Sequence, residues 1–87
     1  MHANVIHVTI NDADAATEGL RSQLVPQVSA SPGFVAGYWV RLAENKGMSV
    51  VVYESEDAAR QAAGRMDPPT EAVTLDSLET GEVVASA

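Results

Sequence analysis

The sequence predicts an α+β fold of the ferredoxin-like type, βαββαβ, with both helices on one face of a four-stranded antiparallel sheet. Three observations carry this. Four stretches rich in Val, Ile and aromatic residues alternate with two helical stretches in that order. A Ser31-Pro32-Gly33 turn separates the first helix from the second strand. A short polar segment, Ala43-Glu44-Asn45-Lys46-Gly47, joins the two middle strands as a hairpin. With no linker or low-complexity tract, residues 1–87 are expected to form one domain.

Each element has a local reason. Val5-Ile6-His7-Val8-Thr9-Ile10 is dense in β-branched residues and reads as the first strand. Asn11 and Asp12 offer side-chain oxygens to the unpaired amides of a helix spanning about 14–30. Leu20, Leu24 and Val28 fall on one stripe of that helix, and Pro26 predicts a kink. Its ring removes a donor and clashes with the Ser22 carbonyl. Phe34 to Leu42 reads as the second strand and Met48 to Tyr53 as the third. Ser55 caps a second helix with Glu56 and Asp57 in its first turn. That helix is built on Ala58, Ala59, Ala62, Ala63 and Met66 and stopped by Asp67-Pro68-Pro69. Val73 to Ala85 is the last strand. Its alternation shifts phase between Leu75 and Leu78, near Gly81, which predicts a β-bulge.

The strands are apolar on both faces. Phe34, Tyr38 and Val40 are expected to oppose Val35 and Trp39, while Val50 and Val52 oppose Val51 and Tyr53. Ile6, Val8 and Ile10 oppose Val5 and His7. Two helices cover one face only, so the other is expected to meet a second copy, making a homodimer. A charge at a partner-facing position such as Val51 should then unfold or monomerise it.

Composition removes whole classes of function. Five Lys and Arg against twelve Asp and Glu leave a net charge of -7, which argues against nucleic acid as a partner. The absence of Cys excludes disulfides, a thiol nucleophile and a zinc-thiolate centre. No apolar run approaches the ~20 residues of a membrane span, and no charged leader segment opens the chain, so the expectation is a cytoplasmic protein without a membrane partner. His2 and His7 lie five residues apart on an extended strand and face opposite ways, so no metal site forms from them. His2 reads as a frayed terminal residue.

Ser31-Pro32-Gly33-Phe34, followed by an aromatic-rich strand and preceded by Leu24-Val25-Pro26, resembles the antibiotic-biosynthesis-monooxygenase type of dimeric α+β barrel. The resemblance implies two ferredoxin-like protomers pairing their sheets, with a small cavity in each. The family that the chain resembles includes cofactor-independent oxygenases acting on polyphenolic compounds, haem-degrading oxygenases, and many small proteins with no established activity. The haem-degrading subgroup uses a strand-one Asn, a Trp near the second helix and an axial His after it. Here Asn4 is the nearby strand-one Asn, with Ile6 closer to the aligned position. Residues 55–71 contain neither Trp nor His. Haem degradation is therefore not expected, and no cofactor is assigned.

Candidate site residues follow. His7 is the internal imidazole, and its ordinary pKa near neutrality suits a general base, beside the plainer reading of a core histidine. Trp39 and Tyr53 share a face if the hairpin register is even, and Arg41 lies two residues beyond Trp39. Together they would supply flat walls and a cation for an anionic oxygen. Two functions stay open. One is a cofactor-independent monooxygenase on a small aromatic or polyketide-like compound. The other is a non-catalytic dimeric module that binds a small apolar ligand or is purely structural.

Overall fold

A computed structural model describes residues 1–64 and 73–87. The elements are β1 (His2–Ile10), α1 (Ala13–Gly19), a π-helical turn (Leu20–Leu24), α2 (Val25–Ser29), β2 (Phe34–Arg41), β3 (Lys46–Tyr53), α3 (Glu56–Gly64) and β4 (Val73–Glu82). The strands form one antiparallel sheet in the order β2-β3-β1-β4, the ferredoxin-like arrangement that the sequence predicts. The expected stop at Asp67-Pro68-Pro69 lies outside the described residues.

The helical stretch 13–29 is irregular just ahead of Pro26. Asp12 caps it by accepting from the Ala15 amide at 3.1 Å. Pro26 cannot donate to the turn before it, and the ladder widens there: the Val25 amide reaches back five residues to the Leu20 carbonyl. The predicted kink thus takes the form of a π turn. The chain then reverses through Ser31-Pro32-Gly33, where Gly33 has φ 79 and the Phe34 amide donates to the Ser31 carbonyl at 3.2 Å. Pro at the second position and a left-handed Gly at the third make this a type II turn.

Bulges set the faces of the edge strands. Phe34 pairs with Tyr53 but Ala36 with Val52, so Val35 is the extra residue. Phe34 therefore joins Trp39 on the helix-covered face, and the expected grouping of Phe34 with Tyr38 and Val40 is corrected. In β4, His7 pairs with Ser77 and Val8 with Leu75, leaving Asp76 unmatched. This is the bulge read from the phase shift between Leu75 and Leu78. His2 is paired rather than frayed: it sits between Tyr53 and Glu82, with Nε2 3.6 Å from Glu56 Oε2.

The core is at one end of the helix-covered face. Val51, Tyr53 and Ala59 are buried, with Val28, Phe34, Trp39, Ala58 and Ala62 packed around them. Val51 thus points to the helices, which corrects its expected place on the open face; Val50 and Val52 are the valines on that side. α3 presents alanines and so packs close against β1, β3 and β4. Asn4 is fully buried beneath it, donating to the Ala59 carbonyl at 2.9 Å and accepting from the Thr80 hydroxyl at 2.8 Å. Both ends of its amide are satisfied, as burial demands.

The β2–β3 hairpin turns without using its glycine. Glu44 and Asn45 have φ 60 and 61, and the Lys46 amide donates to the Ala43 carbonyl, a type I′ turn. Gly47 instead belongs to β3. Asn tolerates the left-handed region, whereas Glu is strained there. Glu44→Gly should therefore raise stability by about 1 kcal/mol, with the urea midpoint rising at unchanged slope; an unchanged midpoint would show the turn to be strain-free.

Candidate functional site

The helix layer meets the sheet tightly at the α3 end and stands away from it at the α1 end. Between α1, the π turn and the strands lies a cleft of about 380 Å³. Its floor comes from Ile6, Val8 and Ile10 of β1, Gly47 and Ser49 of β3, and Trp39 and Arg41 of β2. The roof is Leu20, Leu24 and Val28, the stripe expected from the sequence, together with Ala16 and Arg21. Leu75 closes one side and stays 39% exposed, so the cleft is open to solvent along that edge. Such an apolar recess with a few polar groups is the usual form of a small-molecule site.

The charge of the cleft is opposite to that of the chain. Among the described residues lining it, Arg21 and Arg41 are the only ionisable side chains, although the protein carries twelve carboxylates and a net charge of -7. Both guanidinium groups belong to exposed residues at the rim, where they remain hydrated and free to reorient. Thr17, Ser49 and the indole N–H of Trp39 supply further side-chain polar groups, and the Thr17 hydroxyl donates to the Ala13 carbonyl.

The four residues singled out from the sequence divide into three places. Trp39 and Arg41 line the cleft together, two residues apart on one face of β2. The register Trp39–Ser49 makes the hairpin even, so Tyr53 does share their face. Yet Tyr53 is 2% exposed and lies in the core rather than in the cleft, with its ring edge-on to Phe34 at 6.3 Å. His7 is on the opposite face of the sheet, where it pairs with Met48 and Ser77 and is exposed. One site in the protomer does not bring the four together, because His7 has the wrong strand parity. Arg21 was not singled out from the sequence; its place next to Leu20 on the helical stripe was the available signal.

Burial pushes the Tyr53 phenol above its ordinary value of 10.0, partly offset by a hydrogen bond with Ser31. Glu56 is held below its ordinary value by the hydrogen bond and charge of Arg60, 2.8 Å away on the surface of α3. The Tyr53 shift has a definite sign. A folded-state pKa above the unfolded one favours the fold fully below the unfolded value, and that contribution disappears as pH rises through the folded one. Urea unfolding from pH 8 to pH 11 should show wild type losing stability as pH passes roughly 10. Tyr53→Phe should lose less over the same interval; parallel curves for the two proteins would refute the assignment.

No protein-family model and no curated protein matches the sequence. Solved structures do match in fold. A MhuD variant with two manganese protoporphyrin IX molecules per active site superposes with a TM-score of 0.69 at 22% identity, covering 100% of this chain and 98% of that one. The haem-degrader MhuD from Mycobacterium tuberculosis, with two haems in its active site, gives 0.65 at 21% identity, covering 100% and 99%. A haem-free structure of the heme-degrading protein from the same organism gives 0.60 at 28% identity, again covering 100% and 99%. These are dimeric α+β barrels of the antibiotic-biosynthesis-monooxygenase type, and the resemblance read from Ser31-Pro32-Gly33-Phe34 holds at the level of the fold. No helix among the described residues is long and apolar enough to cross a membrane.

Proposed function

We propose that this is a monooxygenase-like protein whose cleft takes a small, flat aromatic or polyketide-like compound bearing an acidic oxygen. The observation that carries this reading is the pairing of an apolar cleft with Arg21 and Arg41 and no lining carboxylate among the described residues. Trp39 offers a ring face, and Arg41, roughly 6–7 Å along the strand, offers a cation. A guanidinium beside a phenol or enol favours its anion. The resulting electron-rich anion is the species that reacts with dioxygen. In the simplest case a methylene between aromatic rings becomes a carbonyl, with one oxygen atom retained in the product and the other leaving as water.

The described lining supplies no imidazole or carboxylate to act as base, so ionisation rests on Arg41 and on solvent at the open rim. That same fact favours the second reading, a binding module without turnover. The residues present do not fit a haem iron. The chain's two imidazoles are His2, beside Glu56, and His7, on the far face, and neither lines the cleft. Asn4 is occupied in holding α3 to β4, and Ile6 occupies the cleft floor.

Trp39 is the sole Trp, so its fluorescence reports on the cleft directly. Titration with anthrones, quinols and related phenols should quench it saturably. Arg41→Met should weaken binding of the ionised compounds about tenfold or more, the loss expected for a charge-assisted hydrogen bond. Hemin should give no sharp Soret shift at a one-to-one ratio. His7→Gln should leave cleft binding unchanged. If it abolishes turnover of an active substrate, the chemistry lies on the opposite sheet face and His7 is its base. Failure of every aromatic compound to quench Trp39 would overturn the reading.

A homodimer through the open sheet face belongs to the same proposal. Tyr38 is 64% exposed there and Val40 44%, beside Val50 and Val52. Val50→Glu should monomerise the protein, since a buried unpaired carboxylate is costly. Light scattering at micromolar concentration decides, and a wild type that is a stable monomer refutes the assembly.

A further inference from the structure

Gly37 precedes Trp39 by two residues on the cleft face of β2, and the indole lies back along the strand over it. A Cβ at residue 37 would stand 2.8 Å from Trp39 Cη2, 2.9 Å from Cζ3 and 3.4 Å from Phe34 Cε2. Carbon atoms optimally sit about 3.5–4.0 Å apart, so this space is closed to any side chain while the ring keeps its place. The conflict is with the far end of a rotatable side chain and not with backbone. A residue larger than glycine would thus displace the indole, and the strand would stay. Glycine weakens a strand interior, and its presence there marks a close approach.

A second glycine lies under the other end of the floor. Gly47 pairs with Arg41 on one side and Val8 on the other, and a Cβ there would stand 2.9 Å from Val8 Cγ2 and 3.4 Å from Ile10 Cδ1. Val8 and Ile10 therefore close over the backbone at Gly47 and make an aliphatic floor. Along the cleft lie a parked aromatic ring, an aliphatic floor and a cation.

We propose that Gly37 determines how large an aromatic anion the cleft admits, by parking Trp39 back along the strand. A fused-ring anion occupies the space that the indole leaves clear, with its acidic oxygen at Arg41. This rests on the reading of the cleft as the ligand site. A single ring needs little of that space, whereas a fused-ring system needs all of it. Gly37 acts through Trp39 and is a positioning residue.

Three proteins decide the matter: wild type, Gly37→Ala, and Gly37→Ala combined with Trp39→Phe. Without ligand, Gly37→Ala should shift the emission maximum of Trp39 and change its quenching by iodide, because the ring has moved. Calorimetry with anthracene-2-carboxylate should show affinity about tenfold or more weaker in Gly37→Ala, the size of a steric mismatch in an apolar pocket. Benzoate affinity should change by less than about twofold, and the smaller ring of the double variant should recover most of the anthracene-2-carboxylate affinity. Unchanged emission with unchanged affinity overturns the proposal, and so does a double variant that recovers nothing. If Gly37→Ala does not fold, the double variant still decides, since both approaches under 3 Å are to the indole. A wild type that binds benzoate but not anthracene-2-carboxylate overturns the proposed ligand size alone. A wild type that binds no aromatic anion overturns the cleft reading beneath it.

Discussion

The arrangement depends on how closely the Ser31-Pro32-Gly33 turn seats against α3. A Cβ on Gly33 would lie 2.8 Å from the Ala58 Cβ, and the Gly33 carbonyl accepts from the Glu54 amide at 2.8 Å. Only glycine satisfies both the left-handed φ and that approach. The contact brings the end of α2, the start of β2 and the start of α3 to one point. Val28, Phe34, Tyr53 and Ala59 close around it as the core. Anchored there, the helical stretch 13–29 leaves the sheet uncovered toward its other end, and the π turn at Leu20–Leu24 forms part of the resulting roof. The cleft is thus the counterpart of a core concentrated at one end.

The hairpin register was open in the sequence, since it depends on how the turn pairs β2 with β3. Element order, the Pro26 irregularity and the β4 bulge were all legible, because each has a local chemical cause in the chain. The face of Phe34 was not. Its side depends on an extra residue at Val35 in an edge strand, and in the uncharged run Phe34-Val35-Ala36-Gly37-Tyr38 that bulge leaves no phase shift to read. The hairpin turn lies within Ala43–Gly47, where the sequence reads it, but Glu44 and Asn45 take the positive φ values and Gly47 is buried between Val8 and Arg41. A glycine in a sequence signals either a turn or a close approach, and its neighbours in space determine which.

The candidate site was half legible. Trp39 and Arg41 were readable as a pair because two residues on a strand share a face whatever the fold around them. His7 was chosen for its chemistry, and chemistry does not determine which side of the sheet it occupies. Arg21 was lost among scattered charges, since its relation to Arg41 arises only when the π turn lies over β2. In a chain of net charge -7, the useful signal was that no described carboxylate lines the cleft, and that is a property of the fold.

The sheet is one residue thick, and β2 serves both of its faces. Trp39 and Arg41 go to the cleft, while Tyr38 and Val40 go to the open side. Residues alternate along the strand, so any shift of β2 that re-aims Trp39 also re-aims Tyr38. β2 is an edge strand, hydrogen-bonded on one side only, and the bulge at Val35 already gives it extra twist. Pairing of two open faces would hold this edge in place, fixing the floor of the cleft from behind. The same alternation that makes the sheet apolar on both sides therefore makes the cleft's geometry depend on what covers the opposite face.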